Sequence, residues 1–398
     1  MVRRKRLAGL EVVRAGCALV VLWSHVYGET LGLPQNVIGT SISSFSLEAV
    51  AGFFVLSGCV ISLQDYAGIG AYVRSRLVRI LPIYHVVLAA SALAMVGCGV
   101  GIGTGRFIAN ATFLQSLFWE QVFPIRFYIP SWSLAYEIYY YLAFVGLLLV
   151  PRLLIPLLVA SVVVGAAMYA VPYQDGLLNA VLHALAYFSM WLAGVVVTRL
   201  HRAGHAASIQ TGIYMLAVGI CLSRVPLSEP AKFDYFRLAG FAMGFSFLIW
   251  ALVSEQTDEP VRRLDLGLPA RAAISAVALA ILWTLSTSHL DMKAMVSALL
   301  LFATLSPRLL VRGGALVLRP LEAVLIYVGG LSYALYLVHY PLVQTFNALA
   351  LFRPIVNVAI VTVLSFGLAY LLDYKFQPWI RVRLGSPPRN RSSATSAP

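Results

Sequence analysis

The sequence predicts an all-α polytopic membrane protein, a bundle of about 10–12 transmembrane helices with both termini cytoplasmic. Composition is the first reason. Of the 398 residues 60% are apolar and 11% charged, where a soluble domain carries roughly 45–50% and about 25%, and mean hydropathy is +0.84. The second is spacing: apolar stretches fall at roughly 7–27, 45–63, 80–101, 131–150, 152–171, 181–199, 209–225, 235–253, 270–287, 293–311, 328–350 and 355–374, each close to the length a bilayer requires. Backbone groups cannot go unpaired in lipid, so such runs are helices. The third is charge. With the N-terminus inside, and basic residues near the end of a span counted with the adjoining segment, 21 of the 29 fall on the cytoplasmic side, seven on the outer side, and one, Arg14, within a span, the bias that the positive-inside rule describes. The net charge of +13 is therefore topological and needs no nucleic-acid partner; membrane lipids are the expected surroundings. Residues 1–378 read as one membrane-embedded domain, and 379–398, basic and rich in Ser and Pro, as a disordered cytoplasmic tail.

The start MVRRKR before an apolar run resembles a secretory signal, but Glu11 and Arg14 interrupt the apolar region and no cleavage site follows, so it reads as a retained first helix. A charged side chain at the bilayer centre costs about 2.5–3.5 kcal/mol on insertion scales, which makes every ionisable residue in a span a functional candidate. The first span has three, in GLEVVRAGCALVVLWSH. Arg14 and His25 are separated by close to three full turns, so they share a face, about 16 Å apart along the axis. Glu11 lies one turn before Arg14 and can pair with it. A simple anchoring arginine and a carbonyl-satisfied imidazole are the bland alternatives.

After the second span, which ends FFVLSGCVIS, the chain runs into RSRLVRILPIYH. Arg74, Arg76 and Arg79 form a cationic cluster at the inner surface. On a helix Arg76 and Arg79 are i, i+3 neighbours whose planar groups could clamp a diphosphate; ordinary anchoring to lipid headgroups is the alternative. The outer segment 102–130 opens with GVGIGTG, which lacks the ending of a phosphate loop and reads as a linker. The aromatic stretch from Phe113 to Tyr128 reads as an interfacial or re-entrant segment that could roof a site.

The fourth span opens PSWSLAYEIYYYLAF. Glu137 falls one to two turns below the outer surface, a depth like that of His25 on a helix running the other way, and the two could form a base and its orienting acid. A structural Glu bonded to Ser or Tyr is the alternative. In YVGGLSYALYLVHYPLV, Ser332, Tyr336 and His339 share one helix face and suggest the wall of a polar cavity; interhelical hydrogen bonding without chemistry is the alternative. Cys17, Cys59, Cys98 and Cys221 show no repeated spacing, so neither a disulfide framework nor a metal site is expected.

Taken together, Leu10 through His25, Phe53 to Gly58, Arg74 to Pro82, Trp132 to Glu137 and Ser332 to Pro341 resemble the motifs of the acyltransferase family 3 integral membrane proteins, which include O-antigen, exopolysaccharide and lipochitooligosaccharide O-acetylases. The resemblance implies transfer of an acyl group, commonly acetyl, from cytoplasmic acyl-CoA to a hydroxyl of a glycan, lipid-linked saccharide or glycolipid, in the inner membrane. Acyl-CoA is then a donor substrate, with no permanently bound cofactor. The family's arginine–histidine pair falls on Arg14 and His25, with His25 catalytic and Glu137 assisting. Its arginine turn falls on Arg74, Arg76 and Arg79, which would bind the donor; Glu11, Trp132, Ser332, Tyr333, Tyr336 and His339 would line the cavity or hold the acceptor. Two departures stand out. Ser75 occupies the place of the arginine that the family spacing would pair with Arg79, and Ala51 that of an acid before the Phe-Phe pair, with Glu48 one turn earlier. An alcohol is a weak nucleophile, so a general base is required, and imidazole suits neutral pH; direct transfer and an acyl-histidine relay remain equally open. The rival reading is a polytopic transporter or flippase of a polysaccharide-export system, in which inverted repeats are expected; the two halves show no convincing similarity.

Overall fold

The computed structural model describes residues 2–31, 45–117, 125–170, 176–225, 235–255, 262–285 and 290–384. They fold as α1 (Val2–Leu31), α2 (Ser46–Ser62), α3 (Ile69–Gly97), the short α4 (Thr104–Ala111), a 3-10 turn (Arg126–Ser131) leading into α5 (Trp132–Leu149), α6 (Leu154–Ala170), α7 (Leu177–Arg202), α8 (Ile209–Ser223) and α9 (Tyr235–Ser254). Then come α10 (Leu268–Leu285), α11 (Leu290–Leu305), α12 (Pro307–Leu318), α13 (Glu322–Leu349), α14 (Pro354–Tyr370), a π turn (Leu371–Phe376) and α15 (Gln377–Arg383). Two three-residue strands, β1 (His205–Ala207) and β2 (Arg262–Leu264), pair in parallel, His205 opposite Arg262.

Among the described residues nine helical stretches are long and apolar enough to cross a membrane, and Ser46–Ser62, Ile209–Ser223 and Lys293–Leu305 are shorter apolar helices. Large apolar side chains remain on the perimeter, with Leu93 74% and Leu178 73% exposed. In water such a surface would invite association; against lipid it is the expected outside. The protein is an all-α polytopic membrane protein.

Lipid tails give helices no hydrophobic reason to associate, so close contact depends on small residues that let backbones approach. A Cβ on Gly58 of α2 would lie 2.0 Å from the Trp191 carbonyl oxygen of α7, and one on Gly194 of α7 2.0 Å from the Val55 carbonyl oxygen of α2. Each helix thus presents a glycine to the other's backbone. Gly329 does the same between α13 and α1, where a Cβ would come within 2.2 Å of the Glu11 carbonyl oxygen. Since Gly329 meets Glu11, His339 meets His25 and Gln344 bonds Glu29, α1 and α13 run side by side in the same direction.

Three buried clusters result among the described residues, the smallest of them, with Tyr214, Leu282 and Leu300, joining α8, α10 and α11; the other two frame the site. One gathers Phe54, Tyr140 and Trp191 around α2, α5, α7 and α9, and the other Leu22, Tyr84 and Leu335 around α1, α3 and α13. Phe53 and Tyr336 border both.

The structure departs from sequence expectation at four places. α3 begins at Ile69, so Arg74, Arg76 and Arg79 lie on its first turns and not in a loop. The stretch 293–311 is broken, α11 ending at Leu305 before α12. Residues 104–111 of the expected linker are helical, and Phe113 and Tyr128 are buried, while 118–124 lie outside the described residues. Finally, the helix expected to end at 374 continues through the π turn and α15 to Arg383; the part of the expected tail beyond Leu384 lies outside the described residues.

Candidate active site

At the seam between the two larger clusters lies a cavity of about 650 Å³. Its α2 wall runs from Val50 to Ile61, about 17 Å at 1.5 Å per residue, with Gln64 just past the helix end. Phe53, Phe54, Leu56, Val60 and Leu134 make part of the lining apolar, and Arg74, Arg76, Arg79 and Arg381 gather at the end near the start of α3. Arg14 and Glu137 lie along the middle, with Ser332, Tyr333 and Tyr336 on the α13 side. The FFVLSG segment divides its labour: Phe53, Phe54, Leu56 and Ser57 line the cavity, while Gly58 admits the α7 backbone.

The cations are individually held. Arg14 donates to Glu11 at 2.7 Å, the pairing their i, i+3 spacing predicts. Arg76 donates from Nη2 to Gln64 Oε1 at 3.1 Å and from Nε to Ser75 Oγ at 3.1 Å. Ser75, in the place of an expected arginine, thus orients its neighbour. Arg79 pairs with Asp373, which is fully buried, and its guanidinium lies 5.0 Å from the Tyr333 ring centroid. Tyr333 in turn donates to the Ile80 carbonyl at 2.8 Å. Arg74 donates to the Leu384 carbonyl.

Glu137 accepts from Ser57 Oγ at 2.6 Å and from the Tyr141 hydroxyl. It is not level with His25, contrary to the depth read from sequence. Ser133 and Tyr336 are hydrogen-bonded at 2.8 Å and mark one level. From there Glu137 lies four residues along α5 toward the face where α1 begins, and His339 three residues the other way along α13, so the two levels differ by about 10 Å. The reason is that the buried turn Arg126–Ser131 starts α5 below the surface. Glu137 belongs with Arg14.

The acid partner of His25 is Glu29: His25 Nδ1 lies 3.0 Å from Glu29 Oε1. Glu29 also accepts from Gln344 Nε2, and its carbonyl from Asn347 Nδ2 at 3.3 Å. The His25 ring is 5.4 Å from that of His339 and 5.0 Å from that of Tyr340. His339 is buried, and its Nδ1, 3.0 Å from the Leu335 carbonyl, is placed to donate there; its Nε2 has no partner among the described residues. Between this pair of imidazoles and the cavity stands Tyr336, 6.0 Å from His339 and 6.0 Å from Phe53 by ring centroids, donating to the Pro130 carbonyl at 2.9 Å. Trp132 packs outside the cavity against Tyr136 and Tyr187.

The residues singled out from sequence therefore form two neighbouring groups. Arg14, Glu137, Arg74, Arg76, Arg79, Ser332, Tyr333 and Tyr336 share the cavity, with Glu11 behind Arg14; His25 and His339 lie beyond Tyr336. Sequence reasoning missed Glu29, legible as the i+4 neighbour of His25. It also missed Ser57, Asp373 and Arg381. The family model described as an acyltransferase domain matches residues 7–374, which takes in all of the cavity lining except Arg381. No curated protein and no solved structure matches the chain.

Proposed function

The chain belongs to the acyltransferase 3 family, and from that premise we propose that it carries an acyl group, acetyl in the simplest case, from a coenzyme A thioester to a hydroxyl of a glycan, lipid-linked saccharide or glycolipid. It is a multi-pass membrane acyltransferase; donor, acceptor and the roles of individual residues are the content of the proposal. The observation that carries it is the charge layout of the cavity, lined by five guanidinium groups, Arg14, Arg74, Arg76, Arg79 and Arg381, and one carboxylate, Glu137; Glu11 and Asp373 pair with Arg14 and Arg79, which still leaves the wall cationic. Coenzyme A bears a diphosphate and a ribose phosphate, for which arginine is the matching partner. The apolar length beyond the arginines suits the pantetheine arm.

In this reading the donor enters at the arginine end, the cytoplasmic side by charge bias, and its thioester reaches toward Tyr336. The acceptor approaches from the opposite face, where His25 and Glu29 are about a quarter to a third exposed. The acceptor hydroxyl oxygen attacks the thioester carbonyl carbon as its proton passes to His25 Nε2. The new C–O bond forms, the C–S bond breaks, and the departing thiolate takes the proton back. Glu29, on Nδ1, holds the ring and balances the imidazolium. Tyr336 must turn aside for the two groups to meet; its bonds to Ser133 and Pro130 are worth about 0.5–1.5 kcal/mol each net, a barrier compatible with turnover.

The test is thiol release by purified protein. Acetyl-CoA is expected to yield free coenzyme A only with a glycan or lipid-linked acceptor present, and His25→Ala to abolish release while eluting as the wild type does in detergent. Full activity of His25→Ala would remove His25 from the chemistry. Family membership sets aside the transporter reading that helix number alone allowed.

A further inference from the structure

From residue 379 the chain reads, by composition, as a basic tail that follows a span ending at 374. The structure instead continues the helix through a π turn, Leu371–Phe376, and on through α15. A π turn accommodates an extra residue and re-aims everything after it, and such turns concentrate at functional sites. Here the re-aimed segment is tied back at three points to one short stretch of α3. Asp373, fully buried, takes Arg79 on one carboxylate oxygen and the Ala334 N–H, at 3.1 Å, on the other. One turn later Gln377 Nε2 donates to the Val78 carbonyl at 2.6 Å. At its end the Leu384 carbonyl accepts from Arg74.

A disordered basic segment would be attached nowhere; this one is fastened at its start, middle and end. Between the last two fastenings lies Arg381, partly buried, in the cavity wall with Arg74, Arg76 and Arg79. Fastening removes most of the backbone entropy that ligand binding would otherwise have to freeze. The position of Arg381 is thus preorganised.

We propose that the strap Leu371–Leu384 closes the arginine end of the cavity and that Arg381 contacts the phosphates of the donor thioester, completing a site that the first turns of α3 leave open on one side. The inference rests on the donor reading given above. It adds to that reading a binding residue that lies beyond the stretch matched by the family model.

The experiment compares two donors on the full chain in detergent: acetyl-CoA, and S-acetylpantetheine, which has the same thioester and no phosphate. Wild-type protein is expected to show a lower KM for acetyl-CoA. Arg381→Gln is expected to raise the KM for acetyl-CoA about tenfold, the loss of one charge-assisted contact. Its kcat, and its KM for S-acetylpantetheine, should stay at wild-type values. An unchanged KM for acetyl-CoA in Arg381→Gln, with wild type still discriminating between the donors, overturns the inference and leaves the donor reading standing. Equal use of both donors by wild type overturns both, and is seen before any variant is made. If Arg381 instead met a lipid headgroup phosphate, the variant would affect the two donors alike, which also overturns it.

Discussion

Glu29 sits one helical turn beyond His25 and holds its Nδ1, which leaves Nε2 as the nitrogen able to take a proton. Replacing Glu29 by Gln keeps the shape and removes the charge that stabilises an imidazolium. Since general acid–base assistance contributes about 10²–10⁴-fold, kcat for Glu29→Gln is expected to fall by one to two orders of magnitude with the donor KM unchanged; an equal loss in KM would relocate Glu29 to binding. Glu137 calls for the opposite expectation. Tied to Ser57 and Tyr141 beside Arg14, it belongs to the cavity, so Glu137→Gln should act chiefly on donor KM. The identity of both acids was open to reading, Glu29 by its spacing from His25 and Glu137 by its rarity in a span. Which of them faces His25 was not, because depth in the membrane depends on where α5 begins, and that is set by the burial of Tyr128 and Pro130 in the turn before it.

At the scale of elements, the α2–α7 crossing offers the plainest test of packing. A methyl group on Gly58 or Gly194 would stand 2.0 Å from a backbone oxygen of the facing helix; a backbone atom cannot swing away as a side chain can, and the helices must part. Gly58→Ala is expected to cost about 1–3 kcal/mol, the usual range for overpacking, read as a lower midpoint in thermal aggregation and a drop in monodisperse protein, while Gly146→Ala, which meets open space, leaves both unchanged. The strap after Tyr370 is a second case. Asp373→Asn loosens its first fastening, and trypsin is expected to cleave at Arg381 or Arg383 faster than in wild type; unchanged cleavage would mean that Gln377 and Arg74 suffice to hold it. Among the described residues each of the twelve apolar stretches is helical over most of its length, for the physical reason that lipid permits little else. What hydropathy could not show was helix whose charge is absorbed within the protein. Arg74, Arg76 and Arg79 look like loop because their partners, the Leu384 carbonyl, Gln64 and Asp373, lie far off in sequence or on the backbone, and Arg381 looks like tail because Asp373 and Gln377, which hold its helix, meet α3 from the other end of the chain.

For the whole molecule, sidedness follows from the parallel course of α1 and α13 and the return of α14 and α15. The start of α1 and the end of α15 share one face, and by the positive-inside rule the excess of arginine there is what a cytoplasmic face is expected to carry. Reporter fusions at the N-terminus and after Leu384 are expected to give the same cytoplasmic signal; opposite signals would break the topology. The helices also differ in reach. α2 has 17 residues, α8 15 and α11 16, so they extend about 25, 22 and 24 Å, short of a hydrocarbon core of about 30 Å. Where so short a helix meets lipid, the bilayer must thin or the helix be drawn in, at a cost of fractions of a kcal/mol per Å. α2 itself is buried along most of its length and turns Phe53, Ser57 and Val60 to the cavity, so its short reach is met by protein: the longer helices around it stand against the lipid, and the wall that holds Phe53 and Ser57 is insulated from the thickness of the bilayer.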